Sequence, residues 1–283
     1  MNIGATSKSV LNVLVIGAHP YDCEYYAGGT AVKYIEHGHR VKFVSATNGD
    51  TGHMAKGGGA LACIRAEEMK RADSIIGVGE FEILDIHNGE IMPSFENRKQ
   101  LIRQIRTWHA DIVISHRPND YHPDHRYTGM LVQDTAYQVM VPNICPDVPA
   151  LRKSPVYLYM EDTFTLPNPF RPDVIVPIDD VFGKKIDALH EMTSQFYEWL
   201  PWTYDSLDAI PEDNTERRAW LERDFRARMK NNFVGETKAL YGGSAQSIEI
   251  VEVFQVCEYG GEKGRHITRE EVRELFPFLP EFA

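Results

Sequence analysis

The sequence predicts an α/β protein with a Rossmann-like, doubly wound, mostly parallel sheet, helices on both faces and a C-terminal elaboration. Continuous apolar runs rich in Val and Ile recur through the first half of the chain, and such runs are typical of strands buried on both faces of a parallel sheet. Segments of high helical propensity alternate with these runs. The order βαβαβαβ predicts a right-handed parallel sheet, because parallel neighbours need crossover connections.

The first two predicted strands enclose a helix and lead into a loop. Residues 11–17 (LNVLVIG) form a continuous apolar run. Residues 24–36 follow with helical propensity and end before Gly38, which suits a helix C-cap. Residues 41–46 (VKFVSA) predict the second strand. Residues 48–59 (NGDTGHMAKGGG) are glycine-rich and polar, which is typical of a mobile loop.

The same alternation continues to residue 140. Residues 61–76 combine Ala, Leu, Met, Arg and Glu, which favour a helix. The third strand is predicted at 81–86 and the third helix at 97–108. The fourth strand is predicted at 111–116 (DIVISH), and a helix follows at 127–140.

After Pro142 the alternation loosens, and prolines cluster as far as residue 177. No internal repeat or low-complexity tract divides the chain, so we expect one domain over residues 1–283, with a core of about 10–150 and an elaboration of about 151–283. In this second half we predict strands at 156–160, 174–177 and 248–256 and helices at 181–199 and 215–232.

Composition argues against several classes of protein. The chain has 283 residues, and its 30 basic and 41 acidic side chains give a formal net charge of −11. This acidic excess argues against a non-specific nucleic-acid binder and against a polybasic membrane-surface protein, since both need a basic surface. The four cysteines form no CxxC pair, so we expect neither a disulfide framework nor a thiolate zinc site.

Targeting signals are also missing from the sequence pattern. No stretch of about 18 uninterrupted apolar residues occurs, so no membrane span is expected. The short apolar run near the amino terminus leads straight into patterned sequence, which does not resemble a signal peptide. We therefore expect a cytoplasmic protein.

Polar side chains crowd the ends of the first and fourth predicted strands. His19 and Asp22 follow the first strand, and His122 and His125 follow the fourth with the same spacing. In open parallel sheets, ligands bind beyond the carboxyl ends of the strands where the strand order switches. A catalytic zinc site takes three His, Asp or Glu ligands and leaves one position for water. Two residues from one loop and one from the other would meet this requirement, and the spacing alone leaves the choice open.

Other chemistries lack their motifs. The sequence contains no GxGxxG at the first strand-to-helix turn, no GxxxxGK[ST] and no GxSxG. We interpret Cys23 as a small residue packed at a helix start and not as a nucleophile. We interpret His53 and His87, which lie near the predicted cleft, as solvated loop residues.

Two further features have alternative interpretations. Arg65 either reaches a substrate oxygen or pairs with Glu68 one helical turn away. Residues 196–204 contain five aromatic side chains, which we interpret as core packing or an oligomer contact in preference to stacking on a sugar ring.

Several motifs, taken together and in order, resemble the PIG-L/LmbE-like de-N-acetylases. The similarity covers roughly residues 10–260 and includes a late YGGSAQSIEIVEVF segment with Glu252. The other matching motifs are Ala18-His19-Pro20-x-Asp22, Ala27-Gly28-Gly29-Thr30, Thr47-Asn48-Gly49-Asp50, Arg65-x-x-Glu68 and Pro118-x-Asp120-x-His122-Pro123-Asp124-His125.

The resemblance implies a Rossmann-like fold and one zinc ion per chain, with His19, Asp22 and His125 as its ligands. It also implies that His122 steadies the tetrahedral intermediate and protonates the leaving amine, and that Asp124 orients the His122 imidazole.

The resemblance further implies that Arg65 binds substrate. We expect Asn48 and Asp120, which follow predicted strands at the same sheet edge, to contact the substrate as well.

One position departs from the family pattern. The family motif is usually AHPDD, in which the first Asp acts as general base on the zinc water, and Tyr21 stands at this catalytic position. A phenol with a pKa near 10 is protonated at neutral pH and is a poor base. Asp120, Asp124 and Glu24 are alternative candidates for the base.

The first hypothesis is a zinc-dependent hydrolase of the N-acetylglucosaminyl deacetylase type, which removes an N-acetyl group from an amino sugar or its conjugate. The second is a zinc-containing sugar-binding protein with little or no hydrolysis, because Tyr21 replaces the base. The third is a metal-free structural subunit. The expected partner is a small N-acetylated sugar or glycoconjugate, with no nucleic acid and no membrane. Both a monomer and a homo-oligomer fit the composition.

Overall fold

The fold is taken from a computed structural model that describes residues 10–261, 268, 271 and 274–279. The strands are β1 (Asn12–Gly17), β2 (Arg40–Ser45), β3 (Glu80–Ile83), β4 (Ile112–Ser115), β5 (Val156–Met160), β6 (Val174–Pro177) and β7 (Val251–Cys257). The helices are α1 (Asp22–Glu36), α2 (Gly58–Ile76), α3 (Phe95–Thr107), α4 (Pro123–Gln138), α5 (Phe182–His190), α6 (Leu200–Thr203), α7 (Asn214–Arg228) and α8 (Val234–Tyr241). A π-helical turn covers Ser194–Trp199, and 3-10 turns cover Leu207–Ala209 and Gly242–Ser247.

Within the described residues, seven strands form one sheet in the order β3-β2-β1-β4-β5-β7-β6. Strands β1 to β5 pair in parallel, whereas β7 runs antiparallel to both β5 and β6. The predicted α/β class with a mostly parallel sheet is therefore confirmed. The order reverses between β1 and β4, where Ile16 lies opposite Ser115 and the two carboxyl ends lie side by side.

Helices cover both faces of the sheet, and β1 shows how its side chains divide between them. Val13 and Val15 belong to the core beneath α1, α2 and α5. Leu14 and Ile16 belong to the core beneath α3 and α4. Side chains alternate between the faces of a strand, so a strand covered on both sides reads as a continuous apolar run.

Two predicted helices differ clearly from the structure. The helix predicted at 127–140 begins earlier, at Pro123, because proline suits the first turn of a helix and His122 caps it. The helix predicted at 181–199 is divided: α5 ends at His190, and the π-helical turn begins at Ser194. The sequence analysis did not predict α8.

Two long-range contacts explain the division after α5. The Glu68 carboxylate accepts hydrogen bonds from the Ser194 backbone N–H at 2.8 Å and from its hydroxyl at 2.5 Å. Glu68 lies on α2 and is buried, so Ser194 satisfies a charged group that would otherwise be costly to bury. Sequence periodicity does not reveal such a contact between distant elements.

A buried ion pair connects the C-terminal half of the chain to the middle of α1. Lys185 of α5 and Glu252 of β7 are both fully buried, and Lys185 Nζ lies 2.6 Å from Glu252 Oε1. The Glu252 carboxylate also accepts hydrogen bonds from the backbone N–H groups of Gly29 and Thr30 at 2.8 and 2.7 Å. Lys185 also donates to the Tyr25 carbonyl. The pair therefore fixes α1, α5 and β7 against one another.

Gly29 is required at this contact. A Cβ atom at this position would lie 2.8 Å from Ile178 Cγ2, so a larger residue would push α1 away from its partners.

Among the described residues, no helix combines the length and apolar composition needed to span a bilayer.

We predict that Glu252→Gln lowers the free energy of unfolding by about 3–5 kcal/mol, because it leaves the Lys185 ammonium buried without a carboxylate. Urea unfolding followed by circular dichroism measures this loss. Glu222→Gln is the control: Glu222 pairs with Arg218 at the surface, so its removal is expected to cost no more than about 1 kcal/mol. Equal losses in the two variants would contradict the role of the buried pair.

Candidate metal centre

The switch in strand order brings the two predicted ligand loops together. His19 lies in the turn between β1 and α1, and Asp22 is the first residue of α1. His125 lies in the first turn of α4, directly after the loop that follows β4. All three side chains are buried. Gly17, at the end of β1, permits the tight turn, because a Cβ atom there would lie 2.6 Å from the Asp22 Cβ.

Three donor atoms converge with the spacing of a tetrahedral zinc site. His19 Nδ1 lies 3.3 Å from Asp22 Oδ2 and 3.3 Å from His125 Nε2. Asp22 Oδ2 and His125 Nε2 lie 3.6 Å apart. Ligands at the usual zinc distances of about 2.0–2.1 Å in tetrahedral geometry are separated by about 3.3–3.4 Å. The triangle therefore fits a zinc ion.

Two carboxylates set the tautomers of the histidines. Asp124 Oδ2 lies 3.2 Å from His19 Nε2, and Asp120 Oδ2 lies 3.1 Å from His125 Nδ1. A carboxylate can only accept a hydrogen bond, so these two ring nitrogens carry the protons. The lone pairs of His19 Nδ1 and His125 Nε2 are then directed at the centre of the triangle, as in the carboxylate–histidine–zinc arrangement.

The carboxylates of Asp124 and Asp120 contact the two histidines of the triangle and not the groups for which they were predicted. Asp124 was expected to orient His122, but its carboxylate contacts His19 and accepts the Gly89 backbone N–H at 2.7 Å. Asp120 was expected to contact substrate, but its carboxylate holds His125 and accepts the His122 backbone N–H at 3.1 Å. The loop sequence gives the spacing of these residues but not the direction of each side chain.

The electrostatics of the triangle favour positive charge at its centre. Burial opposes ionisation of Asp22, yet the neighbouring His125 and His19 hold the pKa of its carboxyl well below the usual value. Burial also opposes the charged form of His19, but attraction to Asp22 and the contact with Asp124 raise its pKa from 6.5 to about 9. Burial, together with the nearby His116, lowers the pKa of His125 to about 4. An ionised carboxylate beside two imidazoles is a donor set suited to a divalent cation, which would displace the proton that Asp22 and Asp124 favour on His19.

His122 lies at the edge of this centre and caps α4. Its Nδ1 accepts the Asp124 backbone N–H at 3.1 Å, which leaves the proton on Nε2. The ring packs edge-on against His19, with centroids 4.7 Å apart. Burial and the neighbouring His19 lower the pKa of His122. The structure therefore presents a neutral imidazole with an Nε2–H donor.

Among the described residues, two overlapping groups have donor atoms close enough to hold a metal: His19 with His122 and His125, and Asp22 with His116 and His125. The triangle of His19, Asp22 and His125 takes residues from both. Carboxylates orient its two histidines, and its third donor is the Asp22 carboxylate. We therefore take this triangle as the candidate metal site.

Tyr21 occupies a strained backbone position at the mouth of the site. Its φ of 153° is unusual for a residue with a side chain, and such strain is often found at functional sites. The ring lies nearly parallel to His19, with centroids 6.1 Å apart, and packs edge-on against Phe196. Burial and the negative charge of Asp22 raise the pKa of the phenol well above 10. Tyr21 is thus protonated at neutral pH.

A cavity of about 530 Å³ opens beside His19, Tyr21 and His122. Within the described part of the chain, no Asp or Glu side chain lines it. The alternative bases are also engaged or distant: Asp120 and Asp124 hold the histidines, and Glu24 is buried beside Asp73. The cavity therefore offers no carboxylate that could take the place of the missing base.

Arg65, which was predicted to bind substrate, lines the same cavity. Its guanidinium donates to the Gly52 carbonyl at 2.8 Å and to the Gln195 side chain. The alternative pairing with Glu68 is not formed, because the Glu68 carboxylate binds Ser194. Asn48, also predicted to contact substrate, lies outside the lining and directs its amide towards Asp85 at 3.5 Å.

Sequence reasoning missed several residues around the cavity. His53 was expected to be solvated, but its side chain is buried and its Nε2 lies 2.6 Å from Glu198 Oε2, whereas His87 is exposed as expected. His116 directly follows β4, the one signal that could have identified it as part of the centre. Within the aromatic cluster, Phe196 and Tyr197 belong to the core, while Trp199 and Tyr204 line the cavity.

Comparison with known proteins identifies relatives of the chain. A family model for PIG-L, described as GlcNAc-PI de-N-acetylase, matches residues 14–136. Diacetylchitobiose deacetylase from Thermococcus kodakarensis is 31% identical over 202 residues, which cover 69% of this chain and 74% of that protein. The 4-oxalmesaconate hydratase of Pseudomonas putida is 25% identical over 255 residues, covering 87% and 92% of the two chains.

The fold itself is shared with a solved structure. N,N'-diacetylchitobiose deacetylase from Pyrococcus horikoshii superposes with a TM-score of 0.66 at 24% identity, over 89% of this chain and 84% of that one. The predicted resemblance is confirmed by these matches: the chain belongs to the PIG-L (LmbE-like) de-N-acetylase family.

Proposed function

We propose that this protein is a zinc-dependent amidohydrolase that removes an N-acetyl group from an amino sugar or its conjugate. The observation that carries the proposal is the triangle of His19 Nδ1, Asp22 Oδ2 and His125 Nε2, with separations of 3.3–3.6 Å. Relatives that are named as deacetylases of N-acetylated sugars support the reaction class.

The proposed roles follow from the contacts. When bound by this triangle, zinc would polarise the amide carbonyl and lower the pKa of water. His122 offers its Nε2–H to the oxygen that gains negative charge during attack, which is the arrangement that stabilises a tetrahedral intermediate. Arg65, fixed by Gly52 and Gln195, positions polar groups of the substrate.

Tyr21 stands at the position of the general base in the family motif, and a protonated phenol cannot act as that base. A deacetylase needs a group near the attacking water that is unprotonated at working pH. Burial and Asp22 keep the Tyr21 phenol protonated, and within the described lining no carboxylate takes its place. We therefore propose slow hydrolysis of simple N-acetylated sugars, with sugar binding without turnover as the limiting case.

A second candidate is the addition of water to an unsaturated carboxylic acid. Arg65 is a buried cation in the cavity wall, and among the described residues it forms no ion pair, so it suits an anionic substrate. The relative named 4-oxalmesaconate hydratase matches over most of both chains. Loss of absorbance from a conjugated dicarboxylic acid, together with no acetate release from N-acetylated sugars, would favour this candidate.

We predict that the purified protein contains about one zinc ion per chain and that His19→Ala and His125→Ala abolish zinc binding. Each substitution removes one corner of the ligand triangle. Elemental analysis of protein prepared without chelator measures the content, with His190→Gln on α5 as a matched control. Retention of zinc by both alanine variants would show that the ions are bound elsewhere.

For His122 we predict that His122→Ala retains zinc but reduces acetate release by about 10²–10⁴-fold, because the Nε2–H donor is lost. His122→Asn is the matched control, since asparagine can also cap α4. Equal loss of activity in both, with unchanged thermal stability of the asparagine variant, assigns the effect to the imidazole. Loss of zinc from His122→Asn would instead make His122 a ligand.

Restoring the carboxylate by Tyr21→Asp is predicted to raise kcat for acetate release by about 10-fold or more, the usual worth of a general base. Zinc content is expected to stay unchanged, because the three ligands are untouched. Tyr21→Asn, which shortens the side chain without supplying a base, is the control. The experiment compares the three proteins at matched zinc content across pH 5–10. Fast wild-type turnover together with a slower aspartate variant would refute this role for position 21.

A further inference from the structure

His116 lies behind the metal centre, on the side away from the substrate cavity. Its side chain is 1% exposed and does not line the cavity. Its Nε2 lies 3.1 Å from Asp22 Oδ2. Its ring stacks on His125, with centroids 3.9 Å apart and planes inclined by 19°. One residue thus contacts two of the three proposed ligands.

Three elements hold the His116 ring in this position. It follows β4 directly, and α4 packs on its backbone through Gly129, where a Cβ atom would lie 2.5 Å from the His116 carbonyl oxygen. Tyr26 of α1 packs edge-on against the ring, with centroids 5.5 Å apart. Because these neighbours pack closely around the His116 imidazole, the ring has little freedom to rotate.

The contact with Asp22 determines the proton on His116. Asp22 Oδ2 already accepts the backbone N–H groups of Ala18 at 2.9 Å and His19 at 2.8 Å. The Ala18 backbone nitrogen also lies 3.0 Å from His116 Nε2. Because the carboxylate oxygen cannot donate, we assign the hydrogen of the His116–Asp22 contact to His116 Nε2, and the Ala18 N–H then donates to Asp22 Oδ2. These contacts hold the carboxylate in one orientation, while its other oxygen, Oδ1, is buried and has no hydrogen-bond partner among the described residues.

The stacking geometry separates His116 from the ligands themselves. A metal bound by an imidazole lies in the plane of that ring, along the nitrogen lone pair. His116 and His125 lie in nearly parallel, stacked planes, so one ion cannot lie in both. His125 Nε2 faces His19, and the Nε2 of His116 is occupied by Asp22.

We propose that His116 is a positioning residue that sets the metal affinity of the centre, by fixing Asp22 through a hydrogen bond and His125 through ring stacking. The proposal rests on the metal centre of the proposed function. It extends that function, because it assigns to a residue outside the ligand triangle control over how tightly the ion is held.

Two substitutions separate the two contacts. His116→Gln retains an N–H donor for Asp22 but removes the stacked ring, whereas His116→Phe retains a ring against His125 but removes the donor. Each variant is expected to bind one zinc ion per chain with a Kd raised about 10–100-fold, the usual effect of losing a partner that orients a ligand. Competition between the full-length protein and a chromophoric zinc chelator measures the Kd.

Controls distinguish positioning from a general loss of structure. His190→Gln removes a histidine that contacts Tyr197 away from the centre, and its Kd is expected to equal that of the parent. The melting temperature of the metal-free proteins is measured in parallel. Variants that melt like the parent without metal but bind zinc more weakly support positioning. If His116→Phe does not fold, His116→Gln and His116→Asn carry the same comparison.

The outcomes separate this inference from the function on which it rests. Tight zinc binding by the parent, lost in His19→Ala but unchanged in every folded His116 variant, would overturn the role of His116 and leave the metal centre standing. Complete loss of zinc in all His116 variants would make His116 a ligand and also overturn positioning. A parent protein without zinc affinity would overturn the metal centre and this inference together.

Discussion

The buried carboxylate of Asp22 is the constraint on which the arrangement of the centre depends. Asp22 is fully buried at the start of α1, and an unpaired charge in such a position would be strongly unfavourable. Its Oδ2 is therefore surrounded by two backbone N–H groups from the turn after β1 and by the imidazole of His116. The backbone bonds require the turn to fold tightly over Gly17, and this tight turn places His19 against His125.

The proposed ligands follow the carboxyl ends of β1 and β4, and the C-terminal half of the chain holds in place the elements that carry them. Glu252 and Lys185 bind the middle of α1, seven residues beyond Asp22 at Gly29. Glu68 anchors the π-helical turn, which in turn delivers Gln195 to Arg65. The part of the chain after residue 150 therefore packs against the same elements that carry the candidate metal centre.

Sequence patterns predicted the parts of the structure that depend on local spacing. The sheet, its strands and the meeting of His19 with His125 follow from apolar runs and from the rule that ligands gather at strand ends. The partners of Asp120 and Asp124 did not follow, because two carboxylates in one short loop can face several histidines and spacing does not distinguish the directions. The division of the helix after His190 was missed for a related reason: it depends on Glu68, more than 120 residues earlier in the chain.

In the proposed mechanism, the contacts that orient the metal ligands are separate from the position that would supply the general base. The contacts that orient His19, Asp22 and His125 come from Asp124, His116 and Asp120, and none of them involves the Tyr21 side chain. Position 21 can therefore exchange a carboxylate for a phenol without disturbing the ligand triangle. Its ring packs between His19 and Phe196, so an aromatic contact stands where the family motif has an ionised carboxylate. The relatives of the chain include one protein named as a deacetylase and one named as a hydratase, which agrees with the rule that one fold can host different reactions.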